Sequence, residues 1–393
     1  MENICATCGK ENVPNRCSLC HKFYYCDQKC QGKHWKTHKW TCEGYHPPRS
    51  ADDFQFLEIL GIGNFSEIIH VEERRTGKQY ALKKVNKQKV TQLRKQADIL
   101  MEKHVMNRLK DLEGVVHLYE CFKDSMDLYF LYERVEGGEI WDRCKIFGMP
   151  EIQMRYFLRQ FLETMKEVHA RGIVHRDIKT ENVLITNEGK IKIIDFGTAK
   201  DLEHPEVEVP GNSMRKKKFE NFVGTPHFMA PECIKNKDSS FKSDMWSIGC
   251  MAYYMLAGYP PFQGGSDYLI FTKALELNYS FPSHFSENAI SFIQGIIKLI
   301  PEERPSVDDL LKHQFISEAP TKYPIASLRD IALETIKDDL TKKFTHDNYE
   351  EGLKNTFDKF WEKLGRVDTR LQELYDRLKH FFSREGAPPN QGV

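Results

Sequence analysis

From Phe54 onward the apolar residues of this chain follow a strand, tight turn, strand rhythm. Further on, Leu128-Tyr129-Phe130-Leu131-Tyr132 is an apolar run of the length of one buried strand. Around Leu100-Met101-Glu102-Lys103-His104-Val105-Met106 the rhythm changes. Val105, Met106 and Leu109 give a helix one apolar face, with Glu102 a turn earlier. Residues 320–345 read as connector and helix. Then Leu353, Phe357, Phe360, Leu364, Val367, Leu371, Leu374, Leu378 and Phe381 alternate steps of four and three, a seam with a period of about 3.5 residues. Asp347 and Asn348, followed by Glu350 and Glu351, suit the start of that helix. The seam fits a coiled-coil homodimer or an amphipathic helix packed on the preceding domain, and its three aromatics and Gly365 weaken the regular coiled coil. After Ser383 the end is expected to be disordered. No run approaches the roughly 18 apolar residues that span a bilayer.

Composition narrows the class. Lys plus Arg and Asp plus Glu both number 57, so no net charge draws the chain to nucleic acid or to a membrane. Met1-Glu2-Asn3-Ile4-Cys5 has neither a basic stretch nor an apolar run, so no signal peptide is expected. A reducing location is the expectation, the cytoplasm first and the nucleus second, and there clustered cysteines serve as metal ligands more often than as disulfides.

Seven of the eleven cysteines fall within the first 42 residues, paired as Cys5/Cys8, Cys17/Cys20 and Cys26/Cys30, with His38/Cys42 closing the series. Steps of three or four let two ligands meet one ion, and eight ligands make two closed tetrahedral zinc sites. Zn2+ would supply what about 40 residues cannot supply by apolar burial. Spacing leaves open which pairs share an ion, and His21 and His34 compete with His38. Lys33, Lys36, His38 and Lys39 form a small basic cluster that fits a solvated face as well as DNA.

A second set of chemistry-bearing residues lies further along. His175-Arg176-Asp177-Ile178-Lys179-Thr180-Glu181-Asn182 is followed, thirteen residues after Asn182, by Asp195-Phe196-Gly197. Asp177 can orient an attacking hydroxyl, Asn182 and Asp195 can hold Mg2+, and Lys179 can neutralise the transferred group. The order and spacing resemble the catalytic segment of eukaryotic serine/threonine protein kinases. That resemblance implies an α+β, two-lobed fold over residues 54–316, using ATP and Mg2+ on protein substrates. It implies that Gly61-Ile62-Gly63-Asn64-Phe65-Ser66 covers the phosphates, with Ser66 in place of the usual third glycine, and that Ile68 covers adenine. It implies a phosphate contact from Lys83 of Tyr80-Ala81-Leu82-Lys83, while Lys84 faces away. Glu102 becomes the carboxylate partner of Lys83, with Asp98 the rival. Tyr132 becomes the gatekeeper, and the backbone of Glu133 and Val135 the adenine contact. Thr225 is expected beside Asp177 and Lys179, Glu232 beside Arg304, and Asp244 behind the catalytic loop.

Within the kinases the chain is similar to the 3-phosphoinositide-dependent group. Asp53-Phe54, Ile59-Leu60-Gly61, Val105-Met106, Arg108-Leu109, Asp195 through Lys200, Phe222 through Thr225 and Tyr268-Leu269-Ile270-Phe271 carry that likeness. No lipid-binding domain is expected after it, Asn221 stands where that group has a phosphorylatable serine, and activity without phosphate at Asn221 is expected. Glu220 can replace part of that charge toward Arg176, and Ser213 beside Arg215-Lys216-Lys217-Lys218 is a second regulatory candidate. Thr198 after Gly197 implies a threonine acceptor. Glu139 and Glu181 stand where arginine-selective kinases bind upstream arginines; alternatively Glu139 meets ribose and Glu181 faces solvent. The competing class is a nucleotide-binding scaffold of the same fold with little turnover.

Residues 1–43 resemble the MYND zinc finger. The likeness implies that Cys5, Cys8, Cys26 and Cys30 share one zinc, and Cys17, Cys20, His38 and Cys42 the other. It also implies proline-containing peptide partners. Residues 44–53 are then a linker and 317–383 a helical tail.

Overall fold

The computed structural model describes residues 3–39, 41–42, 49–145, 148–204, 225–236 and 239–324. The expected tail seam from Leu353 to Phe381, the end after Ser383, Ser213, Arg215 to Lys218, and Glu220 to Gly224 lie outside the described residues. The chain divides into two compact units, Met1–Lys87 with Glu120–Phe130, and Gln88–Tyr119 with Leu131–Val393.

In the first unit, β1 (Asn15–Arg16) and β2 (Tyr24–Tyr25) form a two-residue antiparallel ladder, and α1 runs over Gln28–His38. Asp27 starts α1 because its carboxylate accepts the Cys30 N–H at 2.7 Å, satisfying a donor that the first helical turn leaves orphaned. The core of this region is Cys17, Tyr25 and Cys42, flanked by half-buried Cys20 and Trp35. Ahead of the sheet, the stretch read as linker ends in an ordered turn. Ala51–Asp53 is a 3-10 turn closed by a reciprocal Ser50 and Asp53 capping box.

The strand rhythm from Phe54 resolves into β3 (Phe54–Ile62), β4 (Ser66–Glu73) and β5 (Gln79–Asn86). With β6 (Leu118–Lys123) and β7 (Asp127–Glu133) they make a five-stranded sheet in the order β3-β4-β5-β7-β6. In the β4–β5 ladder, buried Ile69 pairs with buried Leu82. That register sets Lys83 opposite Ile68, and pleating turns Lys84 to the other face, where it pairs with Asp127.

Helices dominate the remainder. After α2 (Lys87–Gln92), the second unit holds α3 (Gln96–Arg108), α4 (Ile140–Cys144) and α5 (Glu151–Ala170). Short strands follow: β8 (Ile173–Val174), β9 (Val183–Ile185), β10 (Ile191–Ile193) and β11 (Lys200–Asp201). Then come α6 (Pro231–Asn236), α7 (Phe241–Ala257), α8 (Asp267–Leu275), α9 (Glu287–Ile296), α10 (Val307–Lys312) and α11 (Gln314–Ser317). On α5, buried Met154, Phe157, Phe161, Met165 and Val168 repeat at three- and four-residue steps, the stripe of a helix with one apolar face. α7 is buried almost all round, as a helix central to its unit should be. Gly249 is where it meets the end of α9. A side-chain carbon there would lie 2.9 Å from Ile297 and 3.0 Å from Ile296, so only glycine allows that approach. A strand-rich unit and a helix-rich unit agree with the α+β class expected of the chain. Among the described residues no helix is long and apolar enough to cross a membrane.

Candidate active site and metal centres

β8 delivers the chain into His175-Arg176-Asp177, and Asp244 at the start of α7 fixes that loop from behind. Its carboxylate accepts the backbone N–H of His175 and of Arg176, each at 2.9 Å, and contacts His169 Nε2 at 2.9 Å. Arg176 sits at φ +73°, a left-handed backbone that a residue other than glycine adopts at a cost of about 1–3 kcal/mol. The Asp244 contacts hold it there.

Asp177 itself is surrounded by donors. One carboxylate oxygen accepts the N–H and the hydroxyl of Thr225, both at 3.1 Å. The other accepts Asn182 Nδ2 at 3.1 Å and meets Lys179 Nζ at 2.8 Å. Lys179 also donates to Thr225 Oγ1 at 3.0 Å. Burial pushes the Asp177 carboxyl up, but the Lys179 ammonium and the hydrogen bonds outweigh it, and the group lies below the usual carboxylate range. Burial depresses Lys179 in turn, and the adjacent Asp177 charge more than reverses this, so both stay ionised at neutral pH.

The Asp195 loop is tied to this one. Ile194 N–H donates to the Asn182 carbonyl at 3.0 Å, β9 and β10 pair Val183 with Ile193, and Phe196 is fully buried against His175 with ring centroids 4.6 Å apart. Asp195 is exposed and, like Arg176, left-handed at φ +61°; its carboxylate accepts the Gly197 N–H at 3.3 Å. Thr198 donates its hydroxyl to the His175 carbonyl at 3.3 Å.

On α3 the two candidate carboxylates separate clearly. Glu102 is buried and accepts the Tyr132 hydroxyl at 2.8 Å, whereas Asp98 pairs locally with Lys95 at 2.6 Å in the first turn. Glu133 spends its backbone N–H on the His117 carbonyl and its carboxylate on the His117 N–H and Lys192. Glu139 is half-buried, and burial first, then Asp142 and Glu181, raises its carboxyl above the usual range. Glu232 and Arg304 form a bidentate pair at 2.6 and 2.8 Å. In the first unit, Lys83 lies half-buried on β5, and Gly63 N–H closes the glycine turn onto the Ser66 carbonyl at 2.7 Å.

The finger gathers its ligands into two groups, Cys5, Cys8, Cys26, Cys30 and Cys17, Cys20, His38, Cys42, with the ligand atoms of each within 4.8 Å of one another. Sulfur separations are 3.8 Å for Cys5–Cys26, 3.7 Å for Cys8–Cys26 and 3.8 Å for Cys17–Cys42. These are far too long for disulfides, whose sulfurs are about 2.05 Å apart. A tetrahedron with metal–sulfur bonds of roughly 2.3 Å has edges of about 3.8 Å, so the sets fit zinc. Cys20 Sγ and His38 Nε2, 3.4 Å apart, fit the slightly shorter sulfur–nitrogen edge. His34 is engaged elsewhere, its Nδ1 3.0 Å from the Tyr25 hydroxyl, and His21 is exposed at φ +55°. Burial raises the Cys5 thiol, yet the N–H groups of Cys8, Thr7 and Cys26 bring it down to about 6. Its neighbour Cys30 moves up, through its bond to Cys26 first and then through burial.

The comparison with known families follows the same division. Residues 54–316 match the protein kinase domain. The chain belongs to the protein kinase family. Residues 5–42 match the MYND finger, so a MYND finger precedes the kinase domain. Over 274 residues the chain is 34% identical to 3-phosphoinositide-dependent protein kinase 1 of Arabidopsis thaliana, covering 68% of this chain and 56% of that protein. It is 36% identical over 277 residues to serine/threonine-protein kinase PKH2 of Candida albicans, covering 70% of this chain and 29% of the relative. Against human 3-phosphoinositide-dependent protein kinase 1 it is 34% identical over 263 residues, covering 67% and 46% respectively. The chain thus spans between 29% and 56% of the length of these three relatives. The kinase domain is of the serine/threonine type found in those proteins.

Several contacts of the kinase domain were not legible in the sequence. Tyr132 with Glu102, His169 with Asp244, and His104 and Arg108 with Asp201 are each 30 or more residues apart. No short-range spacing joins them.

Proposed function

We propose that this chain is an ATP-dependent protein kinase that transfers the γ-phosphoryl group to serine or threonine hydroxyls of other proteins. The arrangement around Asp177 carries the reading. Thr225 presents a hydroxyl to one Asp177 oxygen at 3.1 Å, so this carboxylate is set to accept a hydroxyl proton. An acceptor serine or threonine takes an equivalent hydrogen bond, and Asp177 orients its oxygen for in-line attack. Lys179, ionised and adjacent, offsets negative charge on the phosphoryl oxygens. Asn182 and Asp195 would hold Mg2+, which neutralises phosphate charge when bound, and Lys83 would meet the nucleotide phosphates.

Asp177→Asn should lower transfer by about 10²–10⁴-fold while ATP affinity stays within a few-fold, because Asp177 touches the acceptor and not the nucleotide. Transfer of labelled phosphate to a peptide, with ATP binding measured in parallel, tests this. Asp195→Ala should lose turnover. A loss of ATP affinity in Asp177→Asn equal to that of Lys83→Ala would overturn the assignment.

Substrate choice belongs to the same proposal. The mutual repulsion of Glu139, Asp142 and Glu181 supports binding of an upstream arginine, whose guanidinium would relieve it. Thr198 supports threonine over serine. A paired peptide array checks both; equal rates on the two acceptors, or unchanged arginine selectivity in Glu181→Ala, would remove them. The finger serves as a docking module for proline-containing segments in this reading, and its thiolate ligands suit a reducing compartment, the cytoplasm or the nucleus.

A further inference from the structure

Asp201 is a carboxylate with five donors around it, and the chemistry above makes no use of it. Its side chain is fully buried. One oxygen accepts the backbone N–H of Glu203 and of His204, each at 3.0 Å. The other lies 2.6 Å from Arg108 Nη1, 2.8 Å from His104 Nε2 and 3.4 Å from His204 Nδ1. Arg108 spans further, reaching Glu203 at 2.6 Å with its second nitrogen. Burial pushes the Asp201 carboxyl up, but the bonds from Arg108, His104 and the two N–H groups prevail and bring it down to about 2.

His104, Asp201 and His204 have the composition of a metal site. The guanidinium of Arg108 argues against that use, because it already supplies the positive charge at the oxygen a metal would need. The group is an ion-pair clasp. What it joins is informative. His104 and Arg108 lie on α3, two and six residues after Glu102. Asp201 lies on β11, which pairs with β8 in the register Asp201 with Ile173 and Lys200 with Val174. β8 runs directly into His175, and β11 follows Asp195-Phe196-Gly197 by three residues. Leu202 N–H bonds the Gly172 carbonyl at 2.9 Å. Gly172 sits at φ +71°, and a side chain there would lie 2.6 Å from Glu203. One buried carboxylate thus connects the helix that carries Glu102 to both loops of the candidate active site.

We infer that Asp201 is a positioning residue, which sets α3 and Glu102 relative to the catalytic loops through His104 and Arg108. The inference rests on the kinase reading above for its consequence in turnover, though not for the clasp itself.

The test uses the full chain carrying Asp201→Ala, Asp201→Asn or Arg108→Gln, each made alone and in a Glu102→Gln background. Should Asp201→Ala not fold, the other two carry the measurement, since each retains part of the network. In the native background turnover should fall at least about tenfold. In the Glu102→Gln background the same change should cost no more than about twofold, because a residue acting through Glu102 has nothing left to position. Equal losses in both backgrounds, or no loss in the first, would overturn the inference. Hydrogen exchange gives a readout free of catalysis. The amides of residues 96–108 should lose protection in these variants while those of α7 keep theirs. Should the native chain transfer no phosphate, the kinase reading fails and the exchange arm alone decides: unchanged protection of residues 96–108 refutes the clasp, and selective loss there upholds it.

Discussion

The finger and the helical unit keep their shape by opposite means. In the finger, the buried cluster is two cysteines and one tyrosine, and its order comes from eight ligands converging on two centres. In the helical unit, Trp246, Tyr253, Phe161, Phe262, Phe292 and Phe315 are all but fully buried, so apolar burial is plentiful. There the polar interior does a different task. Arg304 is buried with Glu232 on two of its nitrogens, the Lys298 carbonyl on the third, and Trp246 under its plane at 5.2 Å. Asp244 and Asp201 are likewise buried and fully engaged. In the small region charge chemistry supplies stability. In the large one it supplies placement, and the core supplies stability.

Removing metal is the strongest way to break this contrast. Chelation should unfold the finger, at a cost on the order of 10 kcal/mol of binding free energy, and leave the helical unit folded. Metal analysis should give two zinc ions per chain, and calorimetry should retain the main transition after chelation. One zinc per chain, or loss of the main transition, would contradict the division. Next in size is the Arg304 lock. Arg304→Ala removes a buried guanidinium and leaves the half-buried Glu232 carboxylate without its partner, and should destabilise the helical unit by about 3 kcal/mol in denaturant titrations, with zinc content unchanged.

Acid sharpens the contrast from the other side. Asp201, held at about 2 by His104, Arg108 and the N–H groups of Glu203 and His204, has a folded value below its ordinary value of 3.8. Its contribution is therefore present above the ordinary carboxylate range and disappears as pH falls from about 4 toward about 2. The expected size is on the order of 2 kcal/mol, and it should vanish in Asp201→Asn. A pH titration of stability for both forms reads it directly. The smallest effect belongs to the finger. Tyr25 is fully buried, and burial first, then the nearby thiolates, raises its hydroxyl to about 12, so it remains a donor throughout the working range. Tyr25→Phe removes its bond with His34 and should cost about 1 kcal/mol, seen as a lower melting temperature of the zinc-loaded finger with both ions retained.

The parts whose signal is local could be read along the chain alone. Ligand spacing marked the seven cysteines of the finger, and the fold set His38 among them in place of His21 or His34. The order of Asp177, Lys179, Asn182 and Asp195 marked the loops of the kinase domain, and alternation along β5 separated Lys83 from Lys84. In each case the residues that act together are close in the chain, or are fixed by strand and helix periods that have no other solution. Which pairs share a zinc could not be read from spacing. That follows from the β1–β2 ladder and α1, which bring Cys26 and Cys30 to Cys5 and Cys8. Glu102 was preferred to Asp98 for the apolar face beside it, and the fold separates the two, Glu102 buried with Tyr132 and Asp98 in the first turn with Lys95. The clasp around Asp201 had no trace in the sequence at all. Arg108 and Asp201 are 93 residues apart, and an aspartate after a strand is ordinary. Only when β11 pairs with β8 and α3 lies alongside does its carboxylate lose water, and a buried charge must then take every donor the fold provides.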